Sequence, residues 1–441
     1  MPELLPLTTQ QRWLWSLHWE HLGWNCVFTY QSRVSGKLNY EHLRGSLREV
    51  LRRHSSLRTR IILSDGIPQQ AIEEHDFCPL EIVAVNGTSR EETEEQAQHL
   101  VDEIARRKKD LAQAPLIKII ALMLADQEHL LVLSFHHLIM DCFSVEMFFS
   151  ELWSLYGKSL KGEPFTSQAM PPQYKDYTLW QRDSHANWLK AHAAYWDKRL
   201  AGATPVRWPM KLPESQVKQG VLGRMRGCLG NQLSAQIRDA AKSARTLSAV
   251  AMLTIYVATL FRWCRQIDFV VPFNVSGRQS EHRRIIGYFS HIAYLRIQVT
   301  GGETFAELLR YVGDEFFRAL LHADFGAQAI EHPRLLSGTF AQWITWNTEN
   351  TPQAINDIDD LAVEPFTARE FGEGLTAVPP GVVDVEVSFF DTPQGTHVRG
   401  VYRADRFTAA TMQRFMAELR SAAEHFAADT TACIARTDVL A

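Results

Sequence analysis

Apolar and polar positions alternate along this chain in two periods, one suited to strands and one to amphipathic helices. Between residues 40 and 54, Leu43, Leu47, Val50 and Leu51 recur three and four apart, on one helical face. A second helix is predicted to open where Ser89 is followed by Glu92, the spacing of a capping box. The runs 27–34, 116–124 and 129–135 read as strands. Residues 162–172 (GEPFTSQAMPP) carry three prolines and no period, so they are expected to form a surface connection. Beyond them, helical patterns over 174–200, 248–264 and 305–321 alternate with strand-like runs over 268–273, 289–297 and 385–390. Residues 407–426, with Met412, Phe415, Met416 and Leu419 in helical register, close the pattern. No fixed-period repeat or low-complexity tract interrupts it. The class is α/β, with an expected N-terminal lobe at 1–170 and a C-terminal lobe at 171–441.

Composition supports two lobes, because 441 residues with 46% hydrophobic content exceed one small core. The 46 basic and 50 acidic residues leave a net charge of -4, so bulk charge recruits neither nucleic acid nor an anionic membrane. A partner must be recognised locally. No run approaches the ~18 apolar residues of a membrane span, and the start MPELLPLTTQQ lacks the basic-then-apolar order of a signal peptide. A cytoplasmic protein is expected. The six cysteines (Cys26, Cys78, Cys142, Cys228, Cys264, Cys433) show no paired or zinc-ligand spacing, and are expected to be reduced and mostly buried in packing.

The segment richest in candidate chemistry is 134–152 (SFHHLIMDCFSVEMFFSEL), where an apolar strand ends in two histidines and an aspartate precedes an amphipathic helix. Strand side chains alternate faces, so His136 and His137 are expected to point opposite ways and do different jobs. Asp141, just before the helix, can cap its exposed amides or pair with a cation. A neutral imidazole is a suitable general base at neutral pH for an attacking amine or hydroxyl. Three other readings stand beside this one. Both histidines can be packing residues; His136, His137 and Asp141 can hold a metal, although adjacent strand histidines diverge; and Cys142, beside a helix start, can be a nucleophile.

HHLIMDCFS at 136–144 resembles the HHxxxDG-x-S signature of the condensation-domain superfamily of nonribosomal peptide synthetases, the HHxxxD acyltransferases, which are related to chloramphenicol acetyltransferase. Further segments are similar to family motifs in the family's order. These are 7–15 (LTTQQRWLW), 53–59 (RHSSLRT), 174–180 (YKDYTLW), 271–278 (VPFNVSGR), 286–289 (IGYF) and the closing 384–415 stretch. The resemblance runs from Leu5 to about Phe426.

It implies two chloramphenicol-acetyltransferase-like lobes in a V-shaped pseudo-dimer with a central substrate tunnel. It also implies an acyl group carried as a thioester on the phosphopantetheine arm of a carrier protein, with no permanently bound cofactor and no metal. The acceptor is a small amine or alcohol, or a second carrier-bound acceptor, and the bond an amide or an ester. The motif's second histidine is His137, the implied catalytic base, with His136 in support. Asp141 matches an aspartate usually paired with the arginine corresponding to Arg278. Ser144 completes the motif, and the amides near Cys142 and Phe143 are the expected stabilisers of the oxyanion.

The chain departs from the pattern in several places. Cys142 replaces the usual glycine, where its side chain either narrows the donor channel or occupies a slightly different loop. Residues 290–292 (SHI) replace the usual V-N-T, so His291 is an unusual polar group near the tunnel. Trp343 and Trp346, in 340–347 (FAQWITWN), are candidates to line the acceptor pocket. Residues 281–289 (EHRRIIGYF) lack the glutamate-containing segment of epimerase relatives, and the histidines distinguish the chain from heterocyclisation relatives. With motifs from end to end, a free-standing member with its donor carrier in trans is expected, and a domain excised from a larger synthetase would show the same motifs. The alternatives are a non-catalytic recruitment module and an acyltransferase using acyl-CoA.

Overall fold

The computed structural model describes residues 2–20, 26–74, 76, 78–165, 169–209, 222–323, 333–344, 355–358, 361–364, 367–368, 383–392 and 394–435. In chain order the elements begin with β1 (Glu3–Pro6), α1 (Thr9–Glu20), β2 (Val27–Ser35), α2 (Tyr40–Arg53), β3 (Thr59–Ser64), β4 (Ile67–Ile72) and β5 (Leu80–Ala84). They continue with α3 (Arg90–Arg106), β6 (Ile117–Ala125), β7 (Glu128–His136), α4 (Cys142–Leu160) and α5 (Tyr174–Leu200). Next come β8 (Leu222–Cys228), α6 (Asn231–Ser243), α7 (Ser248–Cys264), β9 (Asp268–Val275), β10 (His291–Gln298), α8 (Phe305–Leu321) and β11 (Thr339–Ile344). The short β12 (Ile355–Ile358), β13 (Leu361–Val363) and β14 (Thr367–Ala368) precede β15 (Val385–Thr392), β16 (Gly395–Arg403) and α9 (Ala409–Ala428).

By contacts the chain forms two compact units. The first takes Met1–Ala186, Ser276–Ser290 and Asn347–Leu375, and the second takes Asn187–Val275, His291–Trp346 and Thr376–Ala441. A cut near residue 170 follows the order of elements along the chain. The contacts interleave, since Ser276–Ser290 packs with the first unit although its neighbours in sequence on both sides belong to the second.

In the first unit a seven-stranded sheet runs β12-β13-β2-β7-β6-β5, with β14 also on β2. Its two faces are covered by different helices. Leu130 and Val132 of β7 pack with Ala97, Val101 and Ile104 of α3. The alternate residues Leu131, Leu133 and Phe135 are also fully buried, and beside Phe135 Tyr30 stacks and reaches Cys142 of α4. Helix α2 turns Leu43, Leu47, Val50 and Leu51 inward, is capped by the Asn39 side chain and ends on Arg52 and Arg53. Full burial of one such leucine contributes about 1.5–3 kcal/mol. A separate three-stranded sheet, β1-β4-β3, completes this unit.

The second unit is built on a six-stranded sheet, β10-β9-β11-β15-β16-β8, in which β11 runs parallel to both neighbours. Helix α7 is buried from Val250 to Arg262, consistent with an apolar pattern that extends round the helix. No single described helix is long and apolar enough to cross a membrane.

Three local expectations are corrected. Ser89 caps the Glu92 N–H, but the Glu92 carboxylate reaches back to the Thr88 N–H and hydroxyl, so the reciprocal half of the box is made one residue earlier. Of the six free cysteines only Cys26 is buried; Cys78, Cys228 and Cys264 are intermediate, and Cys142 and Cys433 are exposed. Finally, β10 starts at His291 instead of residue 289, because the Phe289 N–H donates to Asp141 Oδ2 and leaves the ladder.

Candidate functional site

Strand β7 delivers the two histidines. His136 pairs with Val27 in the antiparallel register of β2 and β7. The His137 N–H donates to the Cys26 carbonyl at 2.8 Å, carrying the pairing one residue further. By strand parity His136 lies on the α3 side with Leu130 and Val132, and His137 lies on the opposite side with Phe135.

Their hydrogen bonds make the two rings chemically different. Nδ1 of His137 lies 2.8 Å from the Met140 carbonyl, which can only accept, so this nitrogen carries the hydrogen and Nε2 holds the lone pair. In His136, Nδ1 accepts the Leu138 N–H at 3.2 Å, so the neutral ring carries its hydrogen on Nε2. His137 is only 8% exposed. Burial lowers its pKa to about 4, with the Met140 carbonyl and the Asp141 charge acting in the opposite direction. At neutral pH it is an uncharged imidazole with its lone pair on Nε2. Its ring lies against those of Phe28, at 4.2 Å between centroids, and Tyr288, at 4.7 Å.

Asp141 both caps α4 and pairs with a cation. Its Oδ1 accepts the Ser144 N–H at 2.9 Å and Arg278 Nη2 at 2.8 Å, and its Oδ2 accepts the Phe289 N–H. The pair is almost fully enclosed, with side-chain exposures of 1% for Asp141 and 3% for Arg278. Ser144 Oγ lies within hydrogen-bond distance of Asp141 Oδ1, Arg278 Nη2 and both backbone groups of Gly287. Arg278 also donates through Nη1 to the carbonyls of His282 and Ile285, and its guanidinium lies over the rings of Phe289 and Phe143. Gly277, at φ +62°, makes the left-handed turn that leads into this arginine. The ion pair therefore joins the start of α4 to residues 282–289.

Cys142 is the first residue of α4, is exposed, and accepts the Tyr30 hydroxyl on Sγ at 3.1 Å. The structure brings His137, Asp141, Cys142, Ser144 and Arg278 together within the first unit, with His136 on the other face of the same strand end. His291 is buried at the start of β10 and Trp343 lies on β11, both in the second unit. Trp346 lies outside the described residues. Among the described residues no group of three His, Cys, Asp or Glu side chains is placed to hold a metal. His136 and His137 lie on opposite faces of the strand end, so their rings do not converge on one ion as the metal reading requires.

The sequence reading passed over Tyr288 and Phe28 as individual residues. Tyr288 lies inside 286–289, which stands out only as a segment, and its phenol is pushed well up by burial and so stays protonated. Phe28 carries no signal beyond its place in a strand.

Comparison with known proteins places these residues in a wider setting. The family model described as the condensation domain matches residues 2–441. The chain is 28% identical over 421 residues to one of the linear gramicidin synthase subunits of Brevibacillus parabrevis, covering 93% of this chain but 5% of that protein. It thus spans a small fraction of that relative's length. Among solved structures it is similar to the X-domain from teicoplanin biosynthesis, with a TM-score of 0.83, 21% identity, and coverage of 100% of this chain and 98% of that one. The X-domain has also been solved as a complex with OxyB. Another likeness is to a mutant of the starter condensation domain of rhizomide synthetase RzmA in complex with C8-CoA, with a TM-score of 0.78 and 17% identity, covering 99% and 98%. These structural likenesses show the shared fold.

Proposed function

This chain belongs to the condensation-domain family, and from that premise we propose that it transfers an acyl group from a carrier-protein phosphopantetheine thioester to an amine or alcohol. The product is an amide or an ester. The observation that carries the reading is the state of His137: buried, uncharged, with Nδ1 committed to the Met140 carbonyl and Nε2 holding the lone pair. In the proposed step the nucleophile adds to the thioester carbonyl as Nε2 takes its proton. The tetrahedral intermediate then collapses, the C–S bond breaks, and the proton passes to the departing pantetheine sulfur. The first-turn amides at Cys142 and Phe143 are the proposed oxyanion donors. Arg278 balances the Asp141 charge beside them, so that the capping carboxylate does not oppose a developing oxyanion. Asp141 is a positioning residue in this scheme, with its oxygens occupied by structural donors.

Two other readings rest on particular likenesses. The complex of the X-domain with OxyB favours a recruitment module without chemistry. The C8-CoA bound to the rhizomide synthetase domain favours an acyl-CoA donor.

The test loads a candidate acyl group on a carrier protein, or supplies it as acyl-CoA, and follows transfer to a panel of amines and alcohols by intact-protein mass spectrometry. Nucleophile-dependent transfer from the carrier, reduced about 10²–10⁴-fold in folded His137→Ala, is expected. Transfer from acyl-CoA alone would select the second alternative. Carrier binding that survives His137→Ala, with no transfer to any nucleophile, would select the recruitment module.

A further inference from the structure

Two rings lie against His137, and they have different supports. Phe28 belongs to β2 and is fixed by sheet pairing, its partner across the ladder being Phe135. Tyr288 lies outside any strand, and its position depends on hydrogen bonds to other elements. Tyr174 donates its hydroxyl to the Tyr288 carbonyl at 2.6 Å. On one side, the Gly287 carbonyl accepts the Asp141 N–H and the Gly287 N–H donates to Ser144 Oγ. On the other, the Phe289 N–H donates to Asp141 Oδ2. Ser56 donates to the Ile286 carbonyl at 2.7 Å. Four consecutive residues, 286 to 289, are each held by a bond to a distant part of the first unit.

We propose that Tyr288 is a positioning residue for the acyl transfer, held by the Asp141–Arg278 cluster so that its ring shields the His137 imidazole from water and keeps it neutral. The inference rests on the reading of His137 as the base. It gives the buried ion pair a function, since the pair sets the segment that presents the ring, while neither charge need touch substrate.

The groups around the imidazole agree with this. The Cys26 thiol and the Tyr288 phenol are both raised by burial and stay uncharged. Asp141 is the near anion, and Arg278 meets its charge. Cys142, one residue further along, is exposed, and His136 faces the other side of the strand. The Met140 carbonyl and Asp141 both favour imidazolium, and burial outweighs them. Removing the ring admits water, and the balance then moves toward the charged form.

The test is an NMR titration of the full substrate-free chain, labelled with ¹⁵N-histidine and assigned with His137→Gln. It compares wild type with Tyr288→Phe, Tyr288→Leu and Tyr288→Ala. Wild type and Tyr288→Phe are expected to hold His137 neutral at pH 6, with hydrogen on Nδ1. Tyr288→Leu and Tyr288→Ala are expected to raise its midpoint by about 1 pH unit or more. The acidic limb of transfer activity should move by the same amount. An unchanged midpoint in a folded truncated variant overturns the proposal. So does a wild-type midpoint near the ordinary histidine value of about 6.5, a measurement that needs no variant. A raised midpoint without acyl transfer to any nucleophile would support the ring's role and remove the catalytic reading. Normal transfer with an unchanged midpoint would do the reverse.

Discussion

At the scale of single residues, backbone partners separate the two histidines more sharply than their adjacency suggests. A Leu138 N–H occupies Nδ1 of His136 and a Met140 carbonyl occupies Nδ1 of His137, so only His137 has its lone pair on Nε2. The depressed pKa of His137 also has a consequence for stability. The folded chain protonates this ring only below about 4, whereas an unfolded histidine does so near 6.5. Between those values the unfolded state binds more protons, so stability rises with pH across this window, and acidification through it costs at most about 3 kcal/mol from this group. Urea unfolding at pH 7 and pH 5 should show a smaller pH dependence in His137→Gln than in wild type. Gly287 tests the neighbouring support by a different route. A Cβ there would run into the Tyr174 ring, so Gly287→Ala should displace the tyrosine that holds the Tyr288 carbonyl. The expected result is a loss of about 1–3 kcal/mol in denaturant unfolding, together with a raised His137 midpoint.

At the scale of elements, helix α4 is fixed by charge at its start and at its middle. At its start the Asp141–Arg278 pair is nearly fully buried, and removing either partner leaves an unpaired charge costing about 3–5 kcal/mol. Arg278→Ala should therefore destabilise by that amount, and the Asp141→Ala, Arg278→Ala double variant by less than the sum of the singles, as a double-mutant cycle would show. Further along, Glu151 binds Arg53 and His54 at the end of α2. The intervening Glu146 differs, since burial without a compensating cation raises its carboxyl to about 7. A carboxyl raised in the folded state withdraws stability as pH climbs from its unfolded value toward 7. Glu146→Gln should accordingly raise the thermal midpoint more at pH 8 than at pH 5. The elements themselves were legible in the sequence where the period was regular, as in α2 with Leu43, Leu47, Val50 and Leu51 on one face. They were less legible at 289–290. Phe289 looked like the start of a strand, but Asp141 takes the N–H that a ladder would have used.

At the scale of the whole molecule, the first unit is incomplete without Ser276–Ser290, a segment that follows residues of the second unit in the chain. A fragment ending at Ala186 would carry both histidines and Asp141 but lack Arg278 and Tyr288. It should fail to show the near-ultraviolet circular dichroism of fixed aromatic packing, because a buried carboxylate would have lost its cation and α4 the segment bound to its start. The local sequence determined the α/β alternation, the strand that ends in His136 and His137, and the placement of Asp141 before a helix. Each of these follows from short-range period and capping chemistry. The motif order from Leu5 to about Phe426 also made the family legible in the sequence alone. Tertiary structure alone decided the hydrogen-bonding state of each imidazole, the enclosure of His137 by Phe28 and Tyr288, and the return of residues 276–290 to the first unit. The physical reason is range. A helix or strand is specified by neighbours a few residues apart, whereas the basicity of a buried imidazole is set by whatever excludes water from it, and here one of those rings comes from more than a hundred positions further along the chain.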